Sequence, residues 1–77
     1  MPDHPADWRR ALEVLASLRE GSTEALLIAH GFAATTIAGL VDSGLATSTT
    51  ERVWAGERSV KVTRITITDA GRGALER

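Results

Sequence analysis

At Ala46 the spacing of apolar residues changes from helical to alternating. Upstream, Trp8, Ala11, Leu12, Leu15 and Leu18 recur every three or four residues, which places them on one helical face. Leu26, Leu27 and His30 share a second such face, with Ile28 beside it, and Ile37, Leu40 and Val41 form a third. Downstream, Val53, Trp54, Val60, Val62, Ile65 and Ile67 are strand formers. A chain that is helical first and stranded afterwards must pack its helices against one side of a sheet, which is an α+β arrangement.

Local punctuation divides the helical part. Asp7 is a good N-cap, so the first helix is expected from about Trp8 to Arg19, behind a loose tail over residues 1–6. Ser22 can cap the second helix, with Thr23 and Glu24 in its first turn. Gly31 and Gly44 then stand just past two apolar stripes, each followed by an apolar residue, Phe32 and Leu45. Glycine takes the left-handed conformation at this position without steric cost, and the next side chain folds back onto the helix. The third helix is expected from about Ala34 to Ser43, joined to the second by the short stretch GFAA, as in a helix-turn-helix.

The stranded part reads as a β-hairpin. Gly56-Glu57 suits a two-residue type II′ turn. That turn would set Val53 opposite Val60 and Arg52 opposite Lys61; a three-residue loop would set Trp54 opposite Val60. Sequence alone leaves both registers open. Val60 and Val62 share one face while Ile65 and Ile67 share the other, so the base of the hairpin should pack on the helices and its tip project, with a bulge or twist between. Thr68 and Asp69 open a last short helix, in which Gly71 and Gly73 each cost ~1 kcal/mol relative to Ala.

With 77 residues the chain is one domain, small enough that its stability should be modest. It has no Cys and two His, which excludes disulfides, thiolate metal sites and an ordinary all-protein zinc site. A net charge of −1 and 43% hydrophobic content suit a globular, cytoplasmic protein, with no membrane span, cofactor or small-molecule substrate suggested. The charge is segregated. Residues 1–44 carry three arginines against six acids, −3 in all, whereas residues 45–68 carry four cations against two acids, +2 in all. No carboxylate pair, nucleophile–base pair or phosphate-binding glycine pattern is present, so no enzyme is expected.

The order of elements resembles a winged helix-turn-helix domain: three helices, a two-stranded hairpin wing and a short C-terminal helix. LVDSGLA at 40–46 is similar to the end of a recognition helix in MarR-like regulators, and TITDAGRGAL at 66–75 to the segment leaving their wing. The resemblance covers residues 22–77 and omits the long dimerisation helices of that group. It implies a small bacterial DNA-binding protein of the transcription-regulator kind. The third helix would meet the major groove through Thr35 and Thr36, and the wing would meet DNA through Arg52, Arg58, Lys61 and Arg64. Residues 33–43 contain no Lys, Arg, Asn or Gln, the side chains that read base edges by paired hydrogen bonds.

Each of these residues also has a plainer role. The hairpin cations suit a solvated edge. Thr35 and Thr36 are expected as the cap and first turn of the third helix. Trp54 is expected to pack across the strands, with an exposed binding anchor as its other role. The alternative function is therefore protein–protein interaction through the hairpin tip and Trp54, without unaided DNA binding. Cations gathered beside the start of the third helix would fit double-stranded DNA. Cations scattered around the hairpin, or Trp54 exposed in an apolar patch, would fit a protein partner.

Overall fold

The computed structural model describes residues 5–76. Within them the chain forms α1 (Pro5–Ala16), β1 (Ser22–Thr23), α2 (Glu24–Ala29), α3 (Ala34–Asp42), β2 (Ala46–Ala55), β3 (Arg58–Ile67) and α4 (Asp69–Leu75). The result is a small α+β domain with four helices and an antiparallel three-stranded sheet in the order β1-β3-β2.

The first helix starts and stops earlier than its apolar stripe suggests. Pro5 is its first residue, where a missing N–H costs nothing and the fixed φ suits a helix. Asp7 is therefore in the first turn rather than at the cap, and residues 5 and 6 do not belong to a tail. Residues 1–4 of the expected tail lie outside the described residues. At the other end the Ser17 hydroxyl donates to the Val14 carbonyl at 2.7 Å, and Leu18 N–H bonds to Leu15 O, three residues back rather than four. That tightened turn releases Leu18 from the helical face, and it is 37% exposed.

Ser22 and Thr23 are a strand, which corrects both the expected cap and the two-stranded sheet. Ser22 pairs with Ile65 and Thr23 with Arg64. Thr23, not Ser22, caps α2: its hydroxyl accepts from Leu26 N–H at 3.2 Å. Gly21 makes the close approach possible. It has φ +77°, and a Cβ there would clash with the Ile65 carbonyl. On α2 only Leu27 is buried; Leu26 and Ile28 are 49% and 46% exposed, so the expected face is narrower than its apolar residues.

Both glycine caps form as expected. After α2, Gly31 N–H bonds to Ile28 O and Phe32 N–H to Leu27 O. After α3, Gly44 N–H bonds to Val41 O and Leu45 N–H to Leu40 O. This double pattern satisfies carbonyls that a helix end otherwise leaves unpaired. Gly31 and Gly44 have φ of +99° and +79° with open space around them, so conformation rather than packing requires glycine.

The core lies where α1, α2 and α3 meet the base of the sheet. Leu15, Leu27, Ile37, Leu40 and Ile65 are its largest fully buried side chains. Helix α4 closes it. Thr68 caps α4 by accepting from Gly71 N–H at 3.1 Å, and its hydroxyl donates to Gly44 O at 2.7 Å. A Cβ on Gly71 would clash with the Leu45 carbonyl and with Ile67. Here glycine is a packing requirement, not the simple helix cost expected.

Candidate nucleic-acid interface

Ten residue pairs run without interruption from Ala46–Ile67 to Ala55–Arg58. This register sets Val53 opposite Val60 and Arg52 opposite Lys61, the two-residue-turn alternative. Gly56 has φ +68° and Glu57 has negative φ, which fits a type II′ turn. No bulge is needed: the apolar residues change face along an unbroken ladder.

The ladder leaves the core about halfway. Ala46, Ile65 and Ile67 are buried, whereas residues 52–61 are all exposed. The projection shows in the dimensions, 45 × 27 × 19 Å. The radius of gyration, 12.8 Å, exceeds the ~11.5 Å typical of a compact chain of this length.

Alternation sorts the expected site residues onto two faces. Arg52, Lys61, Trp54 and Ser59 share one face of the tip; Arg58, Val53 and Val60 share the other, with Arg64 further down. The four cations therefore do not form one patch, which is the arrangement expected above for a protein partner rather than for DNA. Arg64 is also committed elsewhere. Its Nε donates to Glu51 at 3.1 Å in a half-buried ion pair, and its guanidinium reaches the Glu20 carbonyl at 3.3 Å. It ties the hairpin to the chain entering β1 and is removed from the candidate contacts.

Arg52, Arg58 and Lys61 remain. Among the described residues none of the three makes an ion pair. Arg52 donates instead to the Ser59 hydroxyl at 3.0 Å. Ser59 is two residues nearer the turn than Lys61, so this bond draws the guanidinium away from the opposed ammonium and toward Trp54. Like charges directly opposite are unfavourable, and the arrangement reduces that cost.

Trp54 is 75% exposed and faces Ser59 across the strands. Cross-strand packing, its expected role, does not occur because its partner has no apolar surface. On its face of the ribbon its neighbours by register are Arg52, Ser59 and Lys61, none of them apolar. Val53 and Val60, 40% and 45% exposed, form a small apolar pair on the opposite face.

At the start of α3 the cap is Ala33, without a side-chain bond, so neither threonine caps the helix. Both lie in its first turn. Thr36 is 2% exposed and has no surface to offer a base; its expected contact is withdrawn. Thr35 is exposed. His30 occupies the C-cap of α2 at the exposed surface.

Ser59, opposite Trp54, is the residue that sequence reasoning missed, whereas the Val53–Val60 pair belongs to one of the two registers it left open. Their placement follows at once from the register, and the Gly56-Glu57 turn was the available signal.

Among the described residues no group of His, Cys, Asp or Glu could hold a metal ion, and no helix is long and apolar enough to cross a membrane. No protein-family model, curated protein or solved structure matches the chain.

Proposed function

We propose that the chain is a winged-helix module that holds double-stranded DNA chiefly through its hairpin, adding backbone affinity with little choice of sequence. The observation that carries this reading is the tip itself. Three cations, Arg52, Arg58 and Lys61, project beyond the core of a slightly acidic protein without an acidic partner among the described residues. Their division between two faces argues against a flat contact. It suits a ribbon standing on its tip in a groove, with one row of phosphates along each face. The exposed surface of α3 offers Ala34, Thr35, Ala38 and Asp42, which supports positioning rather than base readout.

The test is fluorescence anisotropy of a labelled random-sequence duplex at 50 and 200 mM salt. Three phosphate contacts give a slope of log K against log salt of about −2.7, which is roughly a 40-fold loss over that range. The Arg58→Ala/Lys61→Ala double variant should bind more weakly, with a slope near −1. Absence of binding at 50 mM, or equal binding by the variant, would overturn the reading.

The Val53–Val60 pair favours a second reading, a winged-helix protein-interaction module. If duplex binding fails, a partner held through Val53 and Val60 is the next reading to test, with Val53→Ser as its probe.

A further inference from the structure

Trp54 is the largest exposed apolar group among the described residues. Leaving an indole in water forgoes the burial that usually stabilises aromatic side chains. The hairpin could have packed it, since a β-branched residue at position 59 would have covered the ring. Instead Ser59 stands opposite and is engaged by Arg52. No cation lies over the Trp54 ring; the contact of that kind among the described residues is Arg10 over Phe32, at 5.3 Å. The ring is therefore largely exposed, with Arg52 and Lys61 on the same face of the ribbon.

We propose that this face of the tip is a stacking platform for an unpaired base of single-stranded DNA, with Arg52 and Lys61 holding the phosphates beside it; this rests on the hairpin being the DNA contact. An aromatic ring flanked by cations is the arrangement by which sequence-tolerant single-strand binders work. Two alternatives fit the face less well. A duplex keeps its base planes stacked on each other and offers Trp54 nothing to stack on. A protein hot spot is ringed by groups that exclude water, whereas Trp54 is flanked by two charged side chains and a hydroxyl. The opposed cations add a specific complement, because a phosphate between them offsets their mutual repulsion. DNA follows from the duplex contact already proposed, in which a locally opened strand would reach the tip while the cations hold its neighbours.

The experiment compares a labelled dodecamer of deoxythymidine, the same length of uridine RNA, and a duplex of equal length, by anisotropy at 50 mM salt. The wild-type and Trp54→Ala chains are run side by side. Trp54 is exposed, so the variant should fold, and circular dichroism checks this. In parallel, emission of a Trp8→Phe variant, whose remaining tryptophan is Trp54, is titrated with the deoxythymidine strand. The proposal expects at least threefold tighter binding of single-stranded DNA than of duplex. It expects about a tenfold loss in Trp54→Ala for the single strand and less than twofold for the duplex, with saturable quenching of Trp54 emission. Duplex binding as tight as single-strand binding and unaffected by Trp54→Ala would overturn the platform while leaving the duplex reading standing. Tighter binding of the RNA strand would overturn the assignment to DNA. No binding to any of the three would overturn both readings.

Discussion

The base and the tip of the β2–β3 hairpin belong to one continuous ladder yet are built for different ends. At the base, Ala46, Ile65 and Ile67 are buried, β1 adds a third strand, and Arg64 is bound to Glu51 and the Glu20 carbonyl. Past Glu51 every side chain on β2 is exposed, and the cations there have no acidic partner among the described residues. Main-chain pairing alone cannot account for this, since the register is the same throughout. The difference is what each rung meets. Base rungs meet the helices and contribute stability; tip rungs meet solvent and are free to vary in chemistry without cost to the fold. Arginine shows it plainly. Arg64 and Arg52 both lie on the hairpin, but the first is a structural tie and the second a surface group held by a serine hydroxyl.

The contrast is broken most severely at the base. Ile65→Ala removes a fully buried side chain from the core between the helices and the sheet, and should destabilise by about 2–5 kcal/mol. In a domain of this size that is a large share of the total, so chemical denaturation should show partial unfolding at room temperature. Unchanged stability would mean that the base is not the anchor.

The two glycines of α4 sharpen the point with smaller and opposite effects. Gly71→Ala drives a methyl group into the Leu45 carbonyl and should cost about 1–3 kcal/mol despite the better helix propensity of alanine. Gly73→Ala meets nothing within 4 Å and should raise stability by up to about 1 kcal/mol. Denaturant midpoints of the two variants that move in the same direction would contradict the packing described here.

The smallest effect belongs to the tip. Arg58→Ala/Lys61→Ala should leave stability within about 0.5 kcal/mol of the wild type, because neither side chain has an ion partner among the described residues. A larger loss in thermal denaturation would show that the tip is part of the fold after all.

How much was legible in advance depended on the range of the interactions involved. The change of period at Ala46, the glycine caps at Gly31 and Gly44, the Thr68 cap and the start of α3 rest on residues within a turn or two of each other. The backbone conformation there is decided by the local chain, and the sequence alone determined them. The hairpin tip was half legible: Gly56-Glu57 pointed to the right turn, but two registers remained until the strands were paired. The rest depended on contacts between distant segments, which composition and spacing do not encode. Ser22 and Thr23 became a strand because β3 offered a partner more than forty residues away. Thr36 turned inward, and Gly71 became indispensable, because of what the tertiary fold placed against them. Arg64 was taken by Glu51, and Trp54 was left exposed by the serine opposite it. Sequence therefore determined the four helices, the long hairpin and their order, but not the short strand β1. Tertiary structure decided which charged and aromatic side chains are consumed in holding them together and which remain for a partner.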